Sequence, residues 1–368
     1  MSNYHNPVKI IKTENWLREL NTNIEELKIS APVIVTTPGN RKRLHLESKF
    51  DPESIFSDVN NNPNFKDCTN ALKFCQKNLF DGVVAIGGGS AMDLAKVVIA
   101  HLSLEKTDIF ELIKYKEKYP QTIPSIFLPT THGTASEVTM WGTVWNMKEE
   151  KKYSISHPNL YPTVAILDGN LTLSLPLDIS ITTVMDALSH SFESIWNKNA
   201  NATSTDFAIS AICSILENGP ALKNNPRDLI IRNYLLKAAT VAGLAFSNTM
   251  TAAAHSMSYP LTIHYGIPHG VASSISLLPL LEINGKWIKE SLDRICKNNE
   301  LTYDKLKQII KAIPQGVIPY TLDEWGIPED QLPKLAEESF TKGRMDNNIV
   351  DLTTDDVLGI LKELFSEQ

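Results

Sequence analysis

Asp186 and His190 stand four residues apart in a stretch of helical period, His255 follows, and His269 comes fourteen residues after that. Spacing of i, i+4 puts a carboxylate and an imidazole on one helix face. Two more imidazoles complete a four-donor set of the kind that borderline divalent metals take. With nine histidines in 368 residues such a pair also arises by chance, and a lone histidine is more often a core or surface residue than a ligand. The surroundings favour ligands. TTVMDALSHSFES is an apolar helix with two donors pointing one way, TAAAHSMSYPL is small and apolar, and GIPHGVASS sets His269 between Pro268 and Gly270. Small neighbours permit close approach, and an apolar shell strengthens the pull of a metal on a bound oxygen.

A second motif lies in the first half of the chain. VVAI runs straight into Gly87, Gly88, Gly89 and Ser90 and then AMDLAKVVIAHL, a strand, turn and helix whose backbone amides suit a diphosphate. It fits neither the GxGxxG fingerprint nor the Walker A loop, and by itself a tight structural turn explains it equally well. A third segment, from Pro129 through Thr130, Thr131, His132, Gly133, Thr134, Ala135 and Ser136 to Glu137, follows another strand and adds hydroxyls. Two such loops at one sheet edge favour a nucleotide site over two idle turns.

The elements that must position these residues change texture near residue 170. Before it, β-branched apolar runs at 31–37, 82–88, 123–131 and 162–168 alternate with helical stretches such as 91–102, the pattern of a parallel sheet with crossover helices. After it come segments of helical period at 178–196, 203–217, 226–248, 270–283, 303–313 and 354–366, the last opened by a capping box of Thr353 and Asp356. The expected organisation is an α/β nucleotide-binding domain over 1–170 and an all-α domain over 171–368 that holds the four metal donors. Composition bounds the rest. Hydrophobic residues make up 42% and charged residues 21%, ordinary for a globular protein, and no apolar run approaches the roughly 20 residues of a membrane span. A net charge of -7 argues against nucleic-acid binding. The N-terminus MSNYHNPVKIIKTENW lacks the apolar core of a signal peptide, and the four cysteines form no close-spaced pair, so a cytoplasmic protein with reduced thiols is expected.

Taken together these motifs resemble the iron-containing (group III) alcohol dehydrogenases. GGGSAMDLAK looks like that family's GGGSxxDxAK, PTTHGTASEVT like PTTAGTGSEVT, MDALSHSFES like MDALTHAIEA, and IPHG like its last metal-ligand segment. The order Asp, His, His, His is preserved over most of the chain. The resemblance implies the dehydroquinate synthase-like fold, Fe(II) or Zn(II) on Asp186, His190, His255 and His269, and reversible hydride transfer between NADH or NADPH and an aldehyde or alcohol. It places Gly88, Gly89, Ser90 and Asp93 at the cofactor with Thr130, Thr131, Gly133, Thr134 and Ser136, and matches Lys152 to a lysine near the cofactor ribose. The lesser alternative for Lys152 is one charge of the solvated run KEEKK. Family members are usually dimers or larger.

Three departures from the family pattern refine the expectation. Many NAD-preferring relatives carry an Asp at the end of the second strand, where this chain has Thr36, Thr37, Pro38 and Gly39, followed by Asn40, Arg41, Lys42 and Arg43. Without that carboxylate NADPH is tolerated or preferred, unless the basic turn is only a solvated one. Where the family has a histidine four residues after the third ligand, thought to relay a proton, this chain has Tyr259, which donates directly, leaves the relay to water and ribose, or is replaced by His264. Finally, His132 replaces an alanine, and Trp141, Trp145, Trp196 and His264 add bulk. With SYPLT after His255 and ESIWNKNAN after His190, these features look like the phosphonoacetaldehyde reductase branch, with His132, Trp141 and His264 at the substrate. A general short-chain alcohol dehydrogenase is the alternative. A metal- and NAD-dependent cyclase would lack net cofactor consumption, and a non-catalytic binder would hold nucleotide without turnover.

Overall fold

The computed structural model describes residues 4–149 and 151–365. The chain forms two compact units, one of Asn6–Thr131 with Ala135–Ser174, the other running from Leu175 onward and including His132–Thr134.

The first unit is built on eight strands: β1 (Lys9–Lys12), β2 (Pro32–Thr36), β3 (Ile55–Phe56), β4 (Gly82–Gly87), β5 (Ser125–Pro129), β6 (Trp141–Asn146), β7 (Lys151–Ser156) and β8 (Val164–Leu167). Six of them form a parallel sheet in the order β1-β8-β5-β4-β2-β3, and β6 pairs antiparallel with β7. Helices α1 (Trp16–Glu26), α2 (Pro38–Arg43), α3 (Phe65–Cys75), α4 (Gly89–Leu104) and α5 (Ile109–Lys114) complete the unit. The strands read as unbroken apolar runs because both sheet faces are covered. The pleat sends Val33, Val35, Val83, Ala85 and Phe127 to one core and Ile34, Val84, Ile86, Ile126 and Leu128 to another. After β2 the chain moves outward to β3 and then returns to β4 on the other side of β2, so the strand order reverses there. A crevice for ligands lies outside the carboxyl ends of strands at such a reversal.

One buried cation fixes α4 in this unit. Lys96 is wholly enclosed, and its Nζ donates to Ser136 Oγ at 2.8 Å, Thr139 Oγ1 at 2.9 Å and the Trp141 carbonyl at 2.6 Å. Asp93, one turn earlier, accepts from Ser136 Oγ at 2.8 Å and from the Thr143 N–H at 2.9 Å. Burial lowers the Lys96 amine to about 8, against the opposing pull of Asp93 and Glu137.

The second unit is helical: α6 (Leu177–Ile195), α7 (Ala202–Asn224), α8 (Leu229–Thr249), α9 (Ala253–Tyr265), α10 (His269–Ala272), α11 (Leu277–Asn284), α12 (Lys289–Asn298), α13 (Tyr303–Ala312), α14 (Leu332–Glu338) and α15 (Thr354–Glu363). Helix α6 is buried on nearly every side, with Ile181, Val184, Met185, Leu188, Phe192 and Ile195 enclosed, each contributing about 1.5–3 kcal/mol. Its serines keep the interior satisfied by bonding back along the helix, Ser191 Oγ to the Ala187 carbonyl and Ser194 Oγ to the His190 carbonyl, both at 2.8 Å. Among the described residues α8 alone has the length and apolarity to cross a membrane; here it is a core helix, with Leu235, Ala238, Ala239, Ala242 and Ala245 buried.

The expected capping box is formed, Asp356 N–H to Thr353 Oγ1 at 3.2 Å and Thr353 N–H to Asp356 Oδ2 at 2.8 Å. The helix expected at 270–283 is instead α10 and α11, separated by Ser273–Ser276. There Ser274 Oγ bonds the Gly270 carbonyl at 2.6 Å and competes with continuation of the helix. Helix α9 and the β6–β7 hairpin had no clear periodic signal; Pro260 lies inside α9.

Replacing Lys96 with Ala strands Asp93 and Glu137 without their buried cation. The expected loss is about 3–5 kcal/mol of unfolding free energy, measured by urea denaturation; a loss under about 1 kcal/mol would show that Lys96 does not tie α4 in place.

Candidate metal and dinucleotide sites

Helix α6 presents Asp186 and His190 on one face, the first turn of α9 presents His255, and His269 begins α10. Asp186 Oδ1 lies 3.6 Å from His255 Nε2 and 3.9 Å from His269 Nε2, and Asp186 Oδ2 lies 3.9 Å from His190 Nδ1. These separations are too long for hydrogen bonds. A tetrahedral ion bound at about 2.1 Å sets its ligands about 3.4 Å apart, so the spacing suits a bridging ion. Asp186, His255 and His269 present donor atoms all within 4.8 Å of one another. His190 stands beside this trio, its ring stacked 4.1 Å from Phe246 and 4.4 Å from His255. His255 Nε2 is buried and has no hydrogen-bond partner, as expected of an atom reserved for a metal. The donor chemistry and this atom together fit a divalent ion.

The electrostatics agree. Burial alone raises the Asp186 carboxyl, but His190, His255 and His269 outweigh it and hold the group well below the usual carboxylate range. Burial pushes the His255 imidazolium down, yet Glu193 and Asp186 prevail and raise it to about 9 without a metal.

Two supporting residues were not singled out from the sequence. Ser273 Oγ donates to Asp186 Oδ1 at 2.8 Å, and Glu193, wholly buried, meets His255 through both carboxylate oxygens. Positions 186, 190 and 193 continue one helix face at i, i+4, i+7, a signal that would have found Glu193. His269 is placed by its neighbour, since a Cβ on Gly270 would stand 2.3 Å from the Thr182 carbonyl. Only glycine permits that approach.

In the first unit, Thr37, Gly88 and Thr130 follow the adjacent strands β2, β4 and β5 at one edge of the sheet. Helix α4 starts at Gly89 without a side-chain cap, so its first amides are left for a ligand. A Cβ on Gly88 would stand 2.9 Å from Thr131, so the cradle depends on its absence. A shaped turn with uncapped amides at a strand reversal fits a dinucleotide diphosphate. Gly87 and Gly89 flank Gly88, and Ser90 Oγ accepts from the Asn62 N–H at 3.2 Å. Asn40, not among the expected site residues, ties the loops together: its Nδ2 reaches the Ile86 carbonyl at 3.4 Å and Thr130 Oγ1 at 3.3 Å, while its Oδ1 accepts from Arg43 at 2.6 Å. Thr37 caps α2 by accepting from the Asn40 N–H, and Gly39 is exposed beside it. Arg41 is held by Glu47 Oε1 at 2.6 Å and Ser57 Oγ at 3.0 Å, while Lys42 is exposed.

Other expected residues fall in several places. Tyr259 is half-buried on α9, one turn after His255 and on the same face. His264 does not join the ligands: it lies about 13 Å further along the axis than His255, exposed, bonded through Nε2 to Glu338 Oε2 at 2.6 Å. His132 is fully enclosed, with both ring nitrogens buried and without hydrogen-bond partners; burial, and then the charge of Arg232, lowers it to about 3. Burial thus disfavours a charge on this ring, expected at the substrate. Its backbone N–H donates to Thr183 Oγ1 at 3.3 Å, and Gly133 and Thr134 cluster with the same helical unit. Ser136 and Asp93 bond one another in the Lys96 network, so in this structure they brace the cofactor segment from behind. Trp141 opens β6 half-buried, and Lys152 lies 5.7 Å from the Trp145 ring across the hairpin.

A dinucleotide cradle on a parallel sheet and a carboxylate–imidazole metal cluster on helices define a metal-dependent dehydrogenase. Residues 7–169 match the family described as iron-containing alcohol dehydrogenase, and residues 180–365 match the Fe-containing alcohol dehydrogenase family, C-terminal. The chain belongs to the iron-containing alcohol dehydrogenases. It is 31% identical to long-chain-alcohol dehydrogenase 1 of Geobacillus thermodenitrificans over 79% of this chain and 76% of that protein. It is 33% identical to the NADPH-dependent butanol dehydrogenase of Clostridium saccharobutylicum over 68% and 67%. The solved sulfoacetaldehyde reductase of Bifidobacterium kashiwanohense in complex with NAD+ superposes with a TM-score of 0.90 at 28% identity, covering 100% of both chains. The chain is thus an NAD(P)-linked, metal-dependent alcohol or aldehyde oxidoreductase.

His269→Ala removes one of the three converging donors. Metal content measured by elemental analysis and reductase activity are expected to fall together, activity by at least about a hundredfold (roughly 2.7 kcal/mol); full activity in the metal-free variant would exclude a Lewis-acid role for this cluster.

Proposed function

We propose that this protein reduces phosphonoacetaldehyde to 2-hydroxyethylphosphonate with NADPH or NADH. The observation that carries the reading is the full-length similarity to a reductase named for sulfoacetaldehyde, also a two-carbon aldehyde bearing a tetrahedral oxyanion. The segments SYPLT and ESIWNKNAN support the same branch.

A divalent ion, Fe(II) or Zn(II), supplies Lewis acidity at the substrate oxygen when bound. Asp186 and the imidazoles of His190, His255 and His269 hold it, the ionised carboxylate offsetting part of its charge in a dry interior. The α4 amides and the Gly87–Ser90 turn would hold the diphosphate of a nicotinamide dinucleotide, which would supply the hydride for reduction of the aldehyde. Tyr259 carries the proton donor for the product oxygen, being the hydroxyl one turn from His255; His264, tied to Glu338, is not needed. The four free cysteines accord with a cytoplasmic location, and a homodimer or larger assembly completes the proposal.

A second reading has its own support. Burial disfavours a charge on His132, and His264 is bonded to Glu338, so neither offers a free cation to an anionic substrate, which favours uncharged short-chain aldehydes. The two readings separate on rates with phosphonoacetaldehyde, propionaldehyde and lactaldehyde, using enzyme loaded with Fe(II) or Zn(II). A kcat/KM at least about a hundredfold higher for the phosphonate, roughly 2.7 kcal/mol of discrimination, is expected. Equal or better rates with the uncharged aldehydes would replace it with the general reading.

For the cofactor, Thr37→Asp keeps a good helix cap while placing a carboxylate at the strand end. The ratio of kcat/KM for NADPH to that for NADH is expected to drop at least tenfold; an unchanged ratio would remove Thr37 from the 2'-phosphate pocket.

A further inference from the structure

Glu193 is wholly buried on the metal-facing side of α6, and its two oxygens are both engaged by one residue. Oε1 accepts the backbone N–H of His255 at 3.1 Å, and Oε2 meets His255 Nδ1. The first contact has a structural reason. Helix α9 is preceded by Ala252, which offers no side-chain cap, and His255 is its third residue, so its amide has no partner within the helix. Glu193 supplies that missing cap from a neighbouring helix, at a terminus that favours negative charge.

The second contact concerns the metal. An imidazole binds a metal through one nitrogen and must keep its remaining proton on the other. Glu193 grips the Nδ1 side of the ring, while Nε2 points to Asp186, 3.6 Å from Oδ1, with no hydrogen-bond partner. With both oxygens turned to His255, Glu193 stands behind the imidazole and takes no place among the ligands.

We propose that Glu193 is a positioning residue for the metal: it holds the His255 proton on Nδ1, so that the Nε2 lone pair is the one offered to the ion. The proposal rests on the reading of Asp186, His255 and His269 as a metal site. With an ion present, Nδ1 would keep its proton against Glu193 and Nε2 would be the donor atom. The carboxylate suits this task because it has one oxygen for each of two N–H donors. A glutamine at the same place has a single oxygen for the two. If that oxygen takes the backbone amide, the glutamine NH2 faces Nδ1 and favours the ring form protonated on Nε2, which cannot ligate.

Glu193→Gln therefore separates the two jobs, since it still has an acceptor for the α9 amide. Metal-free wild type and variant are titrated with Zn(II), and their thermal midpoints are compared before metal is added. The expected result is a Zn(II) Kd weakened about 10–100-fold, with the metal-free midpoint within a few degrees of wild type. A Kd changed by less than tenfold would overturn the proposal and leave Glu193 as a helix cap only. Wild type that takes up no Zn(II) would instead sink the metal reading itself. Should the variant fail to fold, the wild type decides: in the Zn(II) form labelled with 15N-histidine, the His255 signals, assigned by their loss in His255→Asn, are expected to report a proton on Nδ1 and metal at Nε2. Metal at Nδ1 would refute the role.

Discussion

An ionised carboxylate inside an apolar helix bundle sets the terms for the helical unit. Removing such a charge from water costs several kcal/mol even after relaxation, and a lone buried aspartate would normally take up a proton. Asp186 stays ionised because three imidazoles surround it, and those imidazoles bring their own demands. Each needs a defined orientation, which α6, α9 and α10 provide, and each needs its far side satisfied or packed. Glu193 meets that need for His255, and Phe246 covers one face of His190. The buried serines of α6 follow from the same constraint. They are small enough for neighbouring helices to approach and can bond their own helix, so they leave no further polar atom to compete for the site.

The first unit solves a different problem by simpler means. Its ligand is a large anion that arrives with its own charge, and the protein answers with backbone amides rather than a cluster of cations. That requires a helix start with nothing already on it, which α4 has, and loops held still enough to present it. Asn40 and the Lys96–Asp93–Ser136 network hold them, one through an amide that touches two loops, the other through a hydroxyl shared between a buried lysine and a carboxylate. Neither Asn40 nor Lys96 needs to touch a cofactor to matter for its binding.

Much of this was legible in the sequence, for reasons that differ from place to place. The parallel strands declared themselves because a sheet covered on both faces leaves unbroken apolar runs, and α6 because donors four apart sat in a strong helical period. Helix α9 was not legible: TAAAHSMSYPL has small residues on every face and Pro260 within it, so neither periodicity nor propensity distinguishes it from a loop. Its existence depends on partners elsewhere, among them the carboxylate that caps it. The ligand trio was found because metal chemistry restricts residue types. His132 and His264 were given substrate roles on type alone. Burial beside Arg232 neutralises one, and nine residues of helix carry the other away from His255 to a surface partner, and both effects belong to the folded chain.

The contact between Gly270 and the Thr182 carbonyl has a bearing on how this enzyme can change. His269 is located by main chain lying on main chain, with no side chain interposed, and so its position is nearly independent of what fills the surrounding core. Leucines and isoleucines of the helical unit can drift, and the pocket around the substrate can be rebuilt, without shifting that ligand. Such insulation lets one catalytic centre be kept while specificity diverges around it: the route to a new substrate is open as long as a single hydrogen atom stays where a methyl group would not fit.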